Sequence, residues 1–540
     1  MINLNKKILS GSFWLSFGSI FSRILGVVYL IPWLIMLGSY HNQLNAQAIF
    51  NSSYTPYALF LSVGTAGLPS VIAREVAALN SQKRYRDSVY LTKLGWLVMV
   101  VMGLFCGAVL YFSAPLIAQN SPVESVSQAT FSIRVLVPAV IVLPSMSMVR
   151  GWFQGNNDMK PYGISQLWEQ FARILFILLA TFSVVEVFRQ NYVLAVYLSV
   201  FGAFIGALAS YVYLLVYGKK QLTGYRKALQ DSKPRTLDNV MASLMQLWYH
   251  SIPFVLLGAF ITLTQFVDQV FFKQILLKTT NWSQEYVSYL YTVFSANPSK
   301  ITTVIISLAT AVSETSLPLL SGLRANGKKQ GIKDLLLENY RLLLFVLLPL
   351  VTLATFASAQ IYTVLFSHDL TGSFYLMQNI IQSLFLALTM NVLTLLLALS
   401  MNQVAVVVML VGLAVKLVLQ VPLLTWYQTN GAIAATNVAM LLVIIVSYYL
   451  INREYEIDLW VLWKLIATNI GFFLLVAVYY FVVGMRFDSM TSRMHSFLYL
   501  VVYGIVGLLV YIWLTNKTDV SEQILGQKVG YKYYKYKHYR

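Results

Sequence analysis

An all-α integral membrane protein of about 14 transmembrane helices, with both termini in the cytoplasm, is the fold class this sequence predicts. Composition, the recurrence of long apolar runs and the placement of Lys and Arg predict it. Of the 540 residues, 58% are apolar and 11% charged, and mean hydropathy is +0.68. A soluble surface of this size needs far more charge.

Apolar runs of roughly 20 or more residues, each long enough to cross a hydrocarbon core of about 30 Å, lie near 10–37, 46–73, 88–112, 129–152, 161–185, 191–217, 245–272, 287–320, 340–366, 374–400, 403–426, 431–451, 459–484 and 495–515. These are spans 1 to 14. Most connections between them are too short for a folded domain. Span 1 follows Lys6 and Lys7, is too long for a signal-peptide core and lacks a following cleavage site, so it reads as a retained anchor. Cys106 is the single cysteine and lies in a span, which leaves no disulfide and no thiolate metal cluster.

The formal net charge is +18. Its placement argues for topology and against nucleic acid. Of the 38 Lys and Arg, 28 fall at the N-terminus, in the loops after spans 2, 4, 6, 8 and 12 or at the span ends that flank them (Lys93, Arg150, Arg341 and Lys464), and in the C-terminal tail. Only Arg189, Lys273, Lys278, Arg486 and Arg493 fall on the other side. That asymmetry is the positive-inside pattern and sets both termini inside. The tail from Tyr531 to Arg540 mixes cations with aromatics; it reads either as a surface for anionic lipid headgroups or as a solvated tail.

Two sequence echoes are separated by six spans. Thr65-Ala66-Gly67-Leu68-Pro69-Ser70, followed by Arg74, Lys83, Arg84 and Asp87, resembles Glu314-Thr315-Ser316-Leu317-Pro318-Leu319, followed by Arg324, Lys328, Lys329 and Asp334. Met159 to Arg173 likewise parallels Met401 to Lys416. They divide the chain into an N-lobe at 1–220 (spans 1–6), a cytoplasmic linker at 221–244, a C-lobe at 245–452 (spans 7–12), an added pair at 453–516 and a basic tail at 517–540. Repeats with a site between halves are a transporter architecture. Ten of the 14 prolines fall within spans and an eleventh, Pro161, opens one, which suits helices that bend around a wet cavity or kink for packing. Gly103-x-x-x-Gly107 and Gly202-x-x-x-Gly206 permit close helix contact and read as packing.

Charge in hydrocarbon is costly, about 2.5–3.5 kcal/mol on insertion scales, so each such residue should face a cavity or a partner. The cations are Arg23, Arg134, Arg173, Lys300 and Lys416, and the acids Glu169, Asp268 and Glu314. Arg23 shares a helical face with Ser12, Ser16, Ser19 and Gly26, a small polar stripe on which a guanidinium can hold an anion or a structural partner. Glu169 and Arg173 are four apart and read as an intrahelical ion pair. Lys300 lies at mid-depth if its helix starts near 287, at the outer rim if it starts at Pro298. Lys416 reads equally as substrate contact or support, and Arg134 as a snorkelling residue. Asp268 and Glu314 are candidate proton or cation sites, or structural groups near helix ends. Gly322-x4-Gly327-Lys328-Lys329 approaches a phosphate loop but lacks the Ser/Thr for magnesium and follows no strand, so no nucleotide site is read.

The segment Arg150-Gly151-Trp152-Phe153-Gln154-Gly155, then Met159, Pro161, Ser165-Gln166, Glu169-Gln170 and Arg173, resembles the helix 4–5 signature of the polysaccharide-biosynthesis and lipid II flippase branch of the MOP exporter superfamily. Ser22-Arg23-Ile24-Leu25-Gly26 and Tyr54-Thr55-Pro56-Tyr57-Ala58-Leu59-Phe60 agree with it, and the likeness is to the Gram-positive members. The resemblance implies two lobes around a cationic cavity that alternates between inward- and outward-open states. Its implied cargo is an undecaprenyl-pyrophosphate-linked glycan, lipid II for peptidoglycan synthesis in first place. Arg23 falls on the family's helix 1 arginine and Lys300 near its helix 8 cation. Span 2 departs from better-known members in having no charge between Ala46 and Ala73.

The expected function is therefore a flippase in the bacterial cell membrane rather than an enzyme. Arg23, Lys300, Arg173 and Lys416 are the candidate headgroup ligands. Glu169, Asp268 and Glu314 are the candidate coupling or structural acids, and no metal or cofactor is read. The inside-negative potential favours outward movement of an anion by about 2.3 kcal/mol per charge per 100 mV. Partners implied are the lipid-linked glycan, the bilayer and cell-wall synthesis proteins. The alternatives are another lipid-linked oligosaccharide, such as a teichoic acid or capsule precursor, and a cation or drug antiporter. The antiporter would need an interior rich in carboxylates. A membrane glycosyltransferase would need acid or His clusters in a large outer loop, whereas the five histidines are scattered.

Overall fold

A computed structural model describes residues 18, 21–65, 67–156, 158–230, 232, 240–325 and 327–525, without the side chains at 68, 70, 222–224, 226–228, 240–248, 250, 314, 318, 325 and 525. The described residues contain helices and no strand. In chain order these are α1 (Phe21–Met36), α2 (Tyr40–Thr65), α3 (Leu68–Ser81), α4 (Tyr85–Asn120), α5 (Val126–Val135), α6 (Val137–Gly155), α7 (Lys160–Phe182), α8 (Tyr192–Gln230), α9 (Val240–Thr279), α10 (Gln284–Tyr291), α11 (Asn297–Ala325), α12 (Lys329–Phe356), α13 (Ser358–Leu365), α14 (Leu370–Ala398), α15 (Asn402–Tyr455), α16 (Trp463–Val482), α17 (Arg493–Lys517) and α18 (Val520–Leu525). Eleven described helical stretches are long and apolar enough to cross a bilayer. Their outer surfaces carry residues such as Phe112, Val418 and Val502, at 78%, 71% and 63% exposure, a surface stable only in lipid.

Span 2 of the sequence reading is two helices. The chain breaks between α2 and α3 because Gly67 adopts φ +61, a left-handed conformation that costs glycine nothing, and Pro69 then starts α3 where no amide donor is needed. The echoing Leu317-Pro318 lies inside the unbroken α11, so the two echoes differ in backbone. Spans 11 and 12 form the two arms of α15, folded back at Gln428 (φ 54, ψ −133). Asp369, Ser125 and Ser283 cap their helices by accepting from the amides of Gly372, Gln128 and Tyr286.

Packing divides the chain into two compact units. The first is Met1–Lys300 with Asn402–Ala439, and the second Ile301–Met401 with Met440–Arg540. These boundaries differ from 220, 245 and 452: the lobes are inferred from sequence likeness, the units from contact.

In the first unit glycines set helix distances. A Cβ at Gly103 would sit 2.5 Å from the Ile141 carbonyl oxygen of α6, and one at Gly206 on α8 2.5 Å from the Glu169 carbonyl oxygen of α7. The two small-residue motifs are thus packing surfaces, as their spacing predicts. Gly206→Val should cost about 1–3 kcal/mol by forcing α8 off α7. Gly258→Ala, with nothing within 4 Å of the new Cβ, should be neutral or stabilising by up to about 1 kcal/mol. Thermal unfolding in detergent compares the two.

In the second unit Asn391 of α14 donates to Ser313 Oγ of α11 (2.7 Å) and Asn339 Oδ1 of α12 (2.9 Å), and Asn339 donates to Ser316 Oγ (2.8 Å). This polar zip fixes the register of three helices whose flanks are otherwise apolar. The added pair α16–α17 packs on α12: Phe472, Tyr503 and Tyr511 form a buried cluster with Ala357. Tyr503 and Tyr511 donate to the carbonyls of Leu353 (3.2 Å) and Phe345 (2.9 Å).

Candidate functional site

The interior charges of the first unit fall into two groups of opposite character. The first is compensated. Lys416, on the first arm of α15, is fully buried. Its ammonium donates to Asp268 Oδ1 of α9 (2.7 Å), Thr436 Oγ1 (2.6 Å) and the Ala432 carbonyl (3.1 Å). An ammonium has three donors, and these bonds use all of them. Gln420 Nε2 adds a donor to the same Asp268 oxygen (2.9 Å). Lys416 and Asp268 therefore neutralise one another, and of the two sequence readings of Lys416 this geometry is the supporting one. Asp268 thus accepts twice at Oδ1.

The second group carries surplus positive charge. Glu169, on α7, accepts from Arg173 at one carboxylate oxygen (2.9 Å) and from Arg150 of α6 at the other (2.9 Å). The intrahelical pair expected from the four-residue spacing is present, and a second arginine shares its acid. Arg150 also donates to Ser165 Oγ and, on α8, Ser210 Oγ, each at 2.9 Å. The close seat of Gly206 against α7, one turn from Ser210, permits that reach.

Arg173 continues the chain inward. It donates to the Tyr54 hydroxyl of α2 (2.9 Å), and its buried Nε–H finds no acceptor among the described residues. A buried donor left unmade costs about 1–3 kcal/mol, more when charged.

Lys300 stands on the far side of the same aromatic surface. Its Nζ lies 4.9 Å from the ring centre of Phe50 and 5.7 Å from that of Tyr54, and 3.4 Å from Asn51 Oδ1. Phe50 and Tyr54 are stacked, with centroids 5.1 Å apart. No carboxylate pairs with Lys300 among the described residues. Cation–π attraction of about 0.5–2 kcal/mol holds the charge in place without cancelling it. Its helix starts well before Pro298: α10 begins at Gln284 and runs through a π-turn at Thr292–Ala296 into α11, so Lys300 lies some four turns inside.

Arg150, Glu169, Arg173 and Lys300 together carry two net formal positive charges, joined through Tyr54. Arg23 lies on half-buried α1. The Gly26 position on its face would bring a Cβ to 3.1 Å from Gln170 Nε2 of α7, which places that stripe beside the helix bearing Glu169 and Arg173. Ser12, Ser16 and Ser19 lie outside the described residues, as does the Glu314 side chain. Arg134 sits 4.5 Å over the Tyr111 ring and donates to that residue's carbonyl.

Arg150 was missed by the sequence reading because it falls at the cytoplasmic end of span 4, where a cation needs no explanation. The signal available was its place at the head of the Arg150-to-Arg173 signature. The aromatic support from Phe50 and Tyr54 was equally hidden, since aromatics are unremarkable in a span.

Residues 8–324 match the family model described as "Polysaccharide biosynthesis protein". The chain is 28% identical over 541 residues to "Lipid II flippase MurJ" of Bacillus subtilis (strain 168), covering 97% of this chain and 98% of that protein. It is 23% identical over 247 residues to "Stage V sporulation protein B" of the same organism, 45% of each chain. Among solved structures the fold is similar to that of a lipid II flippase MurJ in an inward closed conformation, with TM-score 0.65, 15% identity and coverage of 95% of this chain and 99% of that one. It is also similar to an outward-facing multidrug resistance MATE family transporter of the MOP superfamily, with TM-score 0.57, 12% identity and coverage of 84% and 96%.

Proposed function

The chain belongs to the polysaccharide biosynthesis protein family, and from that premise we propose that it is a flippase carrying an undecaprenyl-pyrophosphate-linked glycan, lipid II, from the inner to the outer leaflet by alternating access. The observation that carries the reading is the surplus of two positive charges around Tyr54, with the Arg173 Nε–H, which has no acceptor among the described residues, beside it. A diphosphate offers several anionic oxygens and makes charge-assisted hydrogen bonds with such donors. The near full-length likeness to a lipid II flippase supports this cargo over other lipid-linked glycans.

The fold alone does not separate this function from drug export, because a multidrug transporter shares it. Charge separates them. An interior that binds organic cations needs uncompensated carboxylates, whereas the two interior acids whose side chains are described, Glu169 and Asp268, are each already paired with a cation. The activity is transport, driven by the membrane potential or an ion gradient and needing no nucleotide. Arg23, Arg173 and Lys300 bind the headgroup, Arg150 and Glu169 position Arg173, and the glycan remains attached to its lipid throughout.

Arg23→Ala should abolish complementation of a flippase-depleted strain while membrane insertion is retained. Normal growth of a well-expressed Arg23→Ala strain would remove that residue from the cargo site.

A further inference from the structure

His41, Glu124 and Glu285 are far apart in sequence and occupy three connections that the charge asymmetry places on the outer side. They meet in space. His41 is in the first turn of α2, Glu124 in the connection between α4 and α5, and Glu285 in the first turn of α10. The imidazole Nε2 lies 3.8 Å from Glu124 Oε2, and Nδ1 lies 3.6 Å from Glu285 Oε1. One ligating atom from each of the three falls within 4.8 Å of the others.

Neither carboxylate pairs with a Lys or Arg among the described residues, and a neutral imidazole does not offset two like charges this close. The surrounding contacts nevertheless hold them together. Gln284 Nε2 donates to the carbonyls of Val123 (2.7 Å) and Glu124 (3.2 Å), and Ser288 Oγ donates to that of Pro122 (3.1 Å). These bonds fix the backbone of Glu124 against α10 independently of any ligand.

Asn45 supplies a second, separate observation. It is 6% exposed, and its amide donates to Glu124 Oε2 (3.2 Å) and to the Tyr192 hydroxyl (2.8 Å). Its Oδ1 is buried with no partner among the described residues. The protein thus leaves an acceptor unsatisfied while the donor end orients one carboxylate. Outer-shell hydrogen bonds of this kind orient metal-ligating carboxylates.

We propose that His41, Glu124 and Glu285 bind a divalent transition-metal cation that fastens the outer ends of α2 and α10 to the connection between α4 and α5. One imidazole with two carboxylates suits zinc better than calcium, which takes six to eight oxygens. Zinc bonds of about 2.0–2.2 Å require these side chains to close by about an ångström, which Glu285, largely in solvent, achieves by rotation. Water completes the shell. This site is independent of the flippase reading.

The test uses the full chain in nanodiscs, stripped with chelator and titrated with Zn²⁺ and separately with Ca²⁺, reading stoichiometry and thermal unfolding. One Zn²⁺ per chain is expected, with a raised Tm. His41→Ala and Glu124→Gln should each weaken Zn²⁺ binding at least tenfold, and Asn45→Ala measurably. Zinc binding unchanged in His41→Ala and Glu124→Gln would overturn the proposal, as would Ca²⁺ binding at least as tight as Zn²⁺. So would stabilisation that appears on acidification in metal-free buffer and does not respond to Zn²⁺, because a protonated His41 would then be the bridge.

Discussion

Asp268→Ala is expected to cost about 3–5 kcal/mol, among the largest losses any single substitution produces in this chain. It strands the Lys416 ammonium, fully buried, with only the Thr436 hydroxyl and the Ala432 carbonyl as acceptors. Removing both charges is a different experiment. Asp268→Leu combined with Lys416→Met replaces the pair by apolar groups of similar volume, a change that is often neutral or stabilising because it removes the desolvation of two ions. Unfolding of the purified protein in detergent or bicelles measures both. The double variant should also keep transport, since a lysine whose three donors already serve the fold is not holding cargo. Loss of growth in a stable double variant would return Lys416 to the substrate site.

Lys300→Met should behave in the opposite way, with stability kept and function lost. Lys300 has aromatic rings and one amide oxygen around it but no carboxylate among the described residues, so its charge is desolvated without a compensating ion. Replacing it with a flexible apolar side chain leaves the Tm unchanged or raises it. A hydrogen bond to a charged group is worth about 1.5–3 kcal/mol, which at 1.4 kcal/mol per decade is roughly a 10- to 150-fold loss in affinity for a diphosphate-bearing prenyl lipid. Lys300→Arg, which keeps the charge, should retain most of that affinity. Equal destabilisation by both variants would instead mark Lys300 as a packing residue. An increase in stability with loss of activity is the pattern expected where a protein keeps a strained charge for function.

The two results together separate charges that hold helices from charges that hold cargo, and this separation is where sequence reasoning ran out. Helices were legible because a bilayer leaves few options: long apolar runs must be helical. The Glu169–Arg173 pair was legible because four residues is one helical turn. Pairings between distant elements were not. Nothing in the local pattern around Lys416 distinguishes it from Lys300, yet one meets Asp268, 148 positions away, and the other meets Phe50 and Asn51. Arg150 was invisible as an interior cation because a helix end is an ordinary place for arginine. The break at Gly67 was hidden by hydropathy, which continues across it, although a glycine two residues before a proline was a usable signal. Nothing in the sequence links His41, Glu124 and Glu285, because only the fold brings three connections together.

The central claim is that the uncompensated cations around Tyr54 exist to hold a diphosphate headgroup during its passage across the membrane. It is tested most directly by quantifying lipid-linked cell-wall precursors on each side of the membrane in cells whose sole copy is Lys300→Met, with protein level and insertion matched to the parent. The prediction is a several-fold build-up of the peptidoglycan precursor in the inner leaflet and its depletion from the outer one. Precursor pools indistinguishable from the parent's on both sides, with normal growth, would contradict it.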